Sequence, residues 1–206
     1  MTYAPDDHPC EVIEAEASVR LVGPVDVAGL EKSMSVSLDG DRLVVDHRLT
    51  NAGGEPRTVA PWAITQLRLG GVADLPLRNS AHPLGLQADR SLVLWPYTDL
   101  TDPRLSFRSD RVQIQGTPGP ALKLGSGPDP GQLSYALNGW CFSKRIEPTA
   151  GGQFADRGAV GQVFVKDSFL ELETLGPLTV LERGQSADHR EIWDIARCEA
   201  PRVLIG

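Results

Sequence analysis

Hydrophobic and polar residues alternate with a period of two along most of the chain. Between Val12 and Leu21, Ile13, Ala15, Ala17, Val19 and Leu21 fall on one side, and Glu14, Glu16, Ser18 and Arg20 on the other. Met34, Val36 and Leu38 alternate with Ser33, Ser35 and Ser37, and Leu43, Val45, His47 and Leu49 alternate with Val44, Asp46, Arg48 and Thr50. Side chains on a strand point to opposite faces in turn, so each run predicts a half-buried β-strand. Asp39-Gly40-Asp41 predicts a hairpin between the second and third runs, and Asn51-Ala52-Gly53-Gly54-Glu55-Pro56 closes the third. Further strands are predicted over 57–69, 91–96, 111–115, 121–124, 133–137, 139–146, 160–166, 169–175, 178–182 and 189–196. Glycine- and proline-rich breaks separate them, notably 125–131 and 150–152. No segment has the spacing of an amphipathic helix, although residues 24–32 are compatible with one short helical turn. The pattern predicts an all-β protein, a large antiparallel β-sandwich or barrel, in one domain over 1–206.

Composition narrows the choice. Hydrophobic residues are 41% and charged residues 23% of 206, which excludes a disordered tail, and the mix is unlike a coiled coil. Gly 21 and Pro 16 fit many short elements joined by turns. The net charge of −7 argues against nucleic acid and anionic membrane surfaces as partners. No apolar run is long enough to span a bilayer, and Met1 to Cys10 lacks a basic-then-apolar leader pattern. Cys10, Cys141 and Cys198 are odd in number and far apart, so no disulfide is expected and the reading is a cytoplasmic protein. Cys141, between Trp140 and Phe142, is expected in the core.

Candidate chemistry is concentrated in two segments. On a strand over 169–175, Phe169, Glu171, Glu173 and Leu175 share a face, with the two carboxylates roughly 6.6 Å apart at Cα. Carboxylates that close push their pKa values apart, which gives one site both an acid and a base. The same alternation also fits two solvated glutamates. In Trp95-Pro96-Tyr97-Thr98-Asp99 through Arg104, aromatic rings beside Asp and Arg suit the stacking face and polar edge of a sugar site, and equally suit a structural corner. His47 lies on an apolar strand face, His189 shares a face with Glu191 and Trp193, and His8 and His82 fall in proline-rich loops. No histidine or cysteine spacing suggests a metal, and no Gly-x-Gly-x-x-Gly, P-loop or Gly-x-Ser-x-Gly motif is present, so no cofactor is implied.

Several phrases carry a resemblance when taken together. They are Asp46-His47-Arg48-Leu49-Thr50-Asn51, Ala60-Pro61-Trp62-Ala63-Ile64-Thr65, Leu94-Trp95-Pro96-Tyr97-Thr98-Asp99 through Arg104, Lys123-Leu124-Gly125, Gly139-Trp140-Cys141-Phe142-Ser143-Lys144, Glu171 through Leu178, and Asp188-His189-Arg190-Glu191-Ile192-Trp193. As a set they resemble DUF4380, a bacterial family of uncharacterised proteins. That family is similar in turn to the galactose mutarotase-like supersandwich of the aldose 1-epimerases. The resemblance implies a sugar ligand, and with it Trp62, Trp95, Tyr97, Asp99, Arg104, Lys144 and His189 as ligand-binding residues. Leu172-Glu173-Thr174 resembles the phrase carrying the epimerase base, which implies Glu173 in that role, with Glu171 second. In that chemistry a carboxylate takes the anomeric hydroxyl proton while an acid, usually histidine, protonates the ring oxygen.

The chain departs from that pattern in two places. Epimerases place their acidic histidine where this chain has Ala60-Pro61-Trp62, which leaves Arg104, His189 or His47 as substitutes. Family members also open with strands leading to a Gly-Gly-His-Arg-Leu-Trp phrase. Thr2 to Asp7 resembles the family's residues just beyond that phrase, so the chain is expected to lack the family's first strands. The expectation is a carbohydrate-binding sandwich of the mutarotase-like type, with catalytic activity left open between a non-catalytic form and an enzyme. The alternatives are an epimerase-like isomerase using Glu173 and a structural or interaction module, with homo-oligomerisation through exposed sheet edges left open. Glycoside hydrolysis is disfavoured, because an i, i+2 pair cannot flank a scissile bond unaided.

Overall fold

Alternation is realised as two unequal antiparallel layers. The computed structural model describes residues 7–77, 88–127, 131–147 and 151–198. These residues form seventeen β-strands and one 3-10 turn, Asp156–Gly158. The larger sheet has ten strands in the order β1 (Glu11–Ala15), β2 (Ser18–Val22), β3 (Leu30–Asp39), β4 (Arg42–Asn51), β17 (Ser186–Arg197), β13 (Trp140–Ile146), β12 (Gln132–Leu137), β7 (Val72–Pro76), β10 (Arg111–Gln115) and β9 (Leu105–Phe107). The smaller sheet has five, β6 (Trp62–Arg68), β15 (Phe169–Leu175), β14 (Gly161–Lys166), β11 (Leu122–Gly127) and β8 (Ser91–Leu94). A two-stranded ribbon pairs β16 (Thr179–Leu181) with β5 (Arg57–Val59). The large antiparallel sandwich expected from the pattern is therefore what forms.

The core lies between the small sheet and one half of the large one. Leu122, Leu124, Val163, Val165, Leu170 and Leu172 from the small sheet meet Ala73, Leu75, Val112, Ile114, Leu133 and Tyr135 from the large sheet. Each large apolar side chain buried this way contributes about 1.5–3 kcal/mol. A second cluster, Ala28, Leu30, Val59, Leu181 and Ala187, sits under the ribbon.

Several expectations are corrected. Val12 to Leu21 is a hairpin, with Ala15 opposite Ser18 across a two-residue turn. Ile13 therefore pairs with Arg20, and Val12 with Leu21, so Ile13 and Leu21 take different faces. The 57–69 run is broken by Ala60-Pro61 into β5 and β6. β11 runs on through Gly125-Ser126-Gly127, and β7 and β9 are additional strands. Residues 24–32 hold no helix: Asp26 Oδ1 accepts from the amides of Ala28 (2.8 Å) and Leu30 (3.0 Å), and Gly29 turns the chain at φ +78° into β3. Asp39 does pair with Arg42 across the expected hairpin. Cys141 is disulfide-bonded to Cys198. The partners lie 57 residues apart in sequence and meet because β13 pairs with β17, placing Cys141 opposite Ala196. The bond removes the cysteine argument for a reducing compartment. No helix among the described residues is long and apolar enough to cross a membrane. His82 and residues 1–6 lie outside the described residues.

Candidate functional site

β15 is the second strand of the small sheet, and its pleat sorts its side chains cleanly. Leu170, Leu172 and Thr174 face the large sheet, and Glu171 and Glu173 face outward. Register sets their neighbours: Glu173 lies between Ile64 on β6 and Gln162 on β14, and Glu171 between Gln66 and Phe164. One strand further, Lys123 on β11 stands opposite Phe164.

The outward face is not solvated at Glu173, which is only 1% exposed. Glu173 Oε2 accepts from Trp62 Nε1 at 2.6 Å and from Lys123 Nζ at 2.7 Å. The same ammonium lies 5.0 Å from the Trp62 ring centroid and 4.7 Å from that of Trp95, so two indole faces and a carboxylate enclose it. Glu173 Oε1 is buried with no hydrogen-bond partner among the described residues. The same holds for Oε1 of Gln162, its cross-strand neighbour, whose amide group donates instead to Asp156 Oδ2 and the Ala159 carbonyl, both at 2.9 Å. Buried acceptors are normally satisfied, so two adjacent ones without donors mark a place where donors are wanted.

The surroundings are half open. Glu171 accepts from Gln66 Nε2 at 3.2 Å, and burial pushes its carboxyl above the usual range, with Glu173 adding to the effect. Tyr97 stands edge-on to Phe164, and burial, then the Glu173 charge, raises its phenol. Trp62 and Tyr97 are exposed along one side. Gly125 lets Trp95 approach the sheet: a Cβ there would lie 2.6 Å from Ala159 Cβ and 3.3 Å from the Trp95 ring.

Behind β15 lies a second charged cluster. Lys144 and Glu191 pair at 2.8 Å, and both side chains are fully buried. Lys144 Nζ also donates to the Ala63 carbonyl and Thr65 Oγ1, both at 3.2 Å. Glu191 Oε2 accepts from Trp193 Nε1 (3.0 Å) and His47 Nε2 (3.3 Å), and Oε1 from the Thr174 hydroxyl. With that proton committed, His189 Nε2 donates to Thr174 Oγ1 at 2.8 Å. Burial pushes Glu191 up, but His47 and Lys144 outweigh it and hold the carboxylate well below its usual range. Burial pulls Lys144 down, and Glu191 only partly restores it. Burial also lowers His189, to about 4, so it is neutral at ordinary pH.

Of the residues singled out from the sequence, Glu173, Glu171, Trp62, Trp95 and Tyr97 come together on the outer face. Lys144, His189 and His47 lie on the opposite side of the small sheet. Arg104, 5% exposed, is held by Asp102 (Nη2 to Oδ2, 2.6 Å) and the Pro120 carbonyl (2.7 Å). Asp99 Oδ1 accepts from the Thr101 amide (2.8 Å) and hydroxyl (2.7 Å), the structural corner that was the other reading of this segment. Sequence reasoning missed Lys123 and Gln162 as site residues. The signal for Lys123 was a single lysine inside the apolar run Ala121-Leu122-Lys123-Leu124.

This two-sheet architecture is shared with solved proteins, and it is the galactose mutarotase-like β-sandwich. A candidate aldose 1-epimerase from Escherichia coli K12 superposes with a TM-score of 0.59 at 17% identity, over 92% of this chain and 68% of that one. A galactose mutarotase-like protein from Lactobacillus casei ATCC 334 gives 0.55 at 10% identity, over 91% and 73%. An aldose epimerase homologue from C. elegans gives 0.54 at 14%, over 92% and 69%. The chain thus spans about two thirds to three quarters of these neighbours. No family model and no curated protein matches it.

Proposed function

We propose that this chain is a carbohydrate-binding β-sandwich, folded as one domain and akin to DUF4380, that holds a sugar on the outer face of β15 without turning it over. The observation that carries this is the pair of buried acceptors, Glu173 Oε1 and Gln162 Oε1, with no donors among the described residues, beside the rings of Trp62 and Trp95. A sugar offers what such a place lacks: hydroxyl donors along its edge and apolar C–H faces for aromatic rings. Glu171 and Tyr97 extend the polar rim. Against catalysis stands the commitment of Glu173 Oε2 to Lys123 and Trp62, with no histidine on that face among the described residues.

One distance favours a second reading, an aldose 1-epimerase. Lys123 Nζ lies 2.7 Å from Glu173. A base at Oε1 taking the anomeric proton, with the ammonium protonating the ring oxygen, would complete the proton exchange. Calorimetric titration with neutral hexoses, uronic acids and amino sugars, run beside polarimetry of fresh α-glucose and α-galactose, tests both. Binding with no acceleration of mutarotation is expected. Acceleration that disappears in Glu173→Gln establishes the second reading, and absence of binding across the panel contradicts both.

A further inference from the structure

The outer face of the small sheet is not evenly charged. Cross-strand pairing sets Gln162 beside Glu173, and the Gln162 amide donates to Asp156 Oδ2 at 2.9 Å, so Glu173, Gln162 and Asp156 are successive neighbours. Glu171 stands two residues away on the same face of β15. Lys123 is already committed to Glu173 Oε2 at 2.7 Å, and Arg157, next to Asp156, is exposed. Arg68 and Lys166 flank Phe169 at the other end of β15, about 13 Å from Glu173. Three carboxylates against Lys123 and Arg157 leave the Glu173 end acidic.

Asp156 is kept beside Gln162 by a strained turn. It opens the 3-10 turn Asp156–Gly158, in which Asp156 and Arg157 take left-handed φ values of +50° and +56°, disfavoured for residues with a Cβ. The Gln162 amide donates to both Asp156 Oδ2 and the Ala159 carbonyl, and so ties down both ends of the turn. Strained backbone held by a buried side chain points to a functional segment. Gln162 is fully buried and Glu173 is 1% exposed, yet Oε1 of each has no donor among the described residues. Neighbouring groups feel the acidity. After burial, the Glu173 charge raises the Glu171 carboxyl, and Glu173, Asp156 and Glu171 raise the Tyr97 phenol.

We propose, resting on the sugar site proposed above, that its ligand is an amino sugar whose ammonium group is held at this acidic end. An ammonium brings three donors and no lone pair, whereas a hydroxyl brings one donor and lone pairs that carboxylates repel. Donors with positive charge also make the stronger hydrogen bonds to carboxylates. A uronic acid would add like charge to a place that already has an excess of it. Asp156 is the exposed carboxylate of the set and meets the amine first, with Glu171 on the other side of Glu173. Phe164, between Glu171 and Lys123, and Tyr97, edge-on to Phe164, add aromatic rings that attract a cation.

Calorimetric titration of the full chain with glucosamine, galactosamine and mannosamine, each beside its parent hexose and its N-acetyl derivative, is the test. It is run at neutral pH, where the free amine is mostly protonated. At least one amino sugar should bind about tenfold or more tighter than its parent hexose, and N-acetylation, which removes the charge, should abolish the gain. Asp156→Asn, which keeps an acceptor for Gln162, and independently Glu171→Gln should lower the ratio of amino-sugar to parent-hexose affinity at least about fivefold. Circular dichroism confirms that each variant is folded. A parent hexose bound as tightly as every amino sugar overturns the proposal and leaves the sugar site standing. A gain that survives N-acetylation, or that both substitutions leave intact, overturns it in the same way. Absence of binding by every sugar contradicts the sugar site itself and this inference with it.

Discussion

Two lysine–glutamate pairs flank the same strand of this protein, and they are not alike. Behind β15, both oxygens of Glu191 are saturated by Lys144, Thr174, His47 and Trp193, and neither Lys144 nor Glu191 touches solvent. In front of it, Glu173 uses one oxygen for Lys123 and Trp62, and the other has no partner among the described residues, next to an exposed aromatic edge. Thr174 and Glu173 are adjacent in sequence, so one peptide step separates a closed network from an open one. Burial and charge alone do not distinguish a structural ion pair from a binding site. Spare hydrogen-bonding capacity does. A saturated network has nothing left to offer a ligand, and an unsaturated one is stabilised by the right donor.

The largest expected effect falls on the closed pair. Glu191→Gln leaves the Lys144 ammonium buried without a counter-charge and should cost about 3–5 kcal/mol in urea denaturation. The equivalent change in front, Glu173→Gln, should cost only about 1–2 kcal/mol, because Lys123 keeps two indole faces and some solvent. Equal costs would erase the distinction.

Acid should separate the regions next. His189 is near 4 in the fold against 6.5 unfolded, so the unfolded chain binds the proton more readily. Stability on this account is complete above pH 6.5 and declines as pH falls from 6.5 towards 4, by up to about 3 kcal/mol. Glu191, depressed below its usual range, adds its loss only at still lower pH. Denaturation of wild type and His189→Asn at pH 7.5 and 5 should show the loss in the first and a flatter profile in the second. Sugar affinity per folded molecule should change little over the same interval.

Gly125→Val sharpens the comparison from the front. Its side chain would meet Ala159 and the Trp95 ring, so a loss of about 1–3 kcal/mol in thermal or urea unfolding is expected together with loss of sugar binding. The smallest effect on stability belongs to Trp62→Ala. Its ring is partly exposed, and the substitution should weaken calorimetric sugar binding at least about tenfold while moving stability by roughly 1 kcal/mol.

The period-two pattern located most of the strands. β15 has the expected bounds, and the expected face for Glu171 and Glu173, because its alternation is uninterrupted. Where the pattern misled, a turn had left no trace in composition. Glu16-Ala17 contains no glycine, proline or asparagine, yet it reverses the chain and exchanges the faces on either side. Long-range pairing was not legible at all. Lys123 meets Glu173 fifty positions on through a sheet register that local sequence does not encode, and Cys141 finds Cys198 by the same route. Placing Lys144 and His189 with Glu173 failed for a related reason: their faces were readable, but which sheet covers which face depends on how the layers stack.

Two indole N–H groups report the comparison directly, since Trp62 Nε1 donates to Glu173 and Trp193 Nε1 donates to Glu191. In a ¹⁵N-correlated NMR titration of the full chain with the hexose, uronic acid and amino sugar panel, the Trp62 indole signal should shift and saturate with at least one sugar. The Trp193 signal should stay in place. A stationary Trp62 signal across the whole panel, or the two signals moving together, would contradict the assignment of the sugar site to the open side of β15.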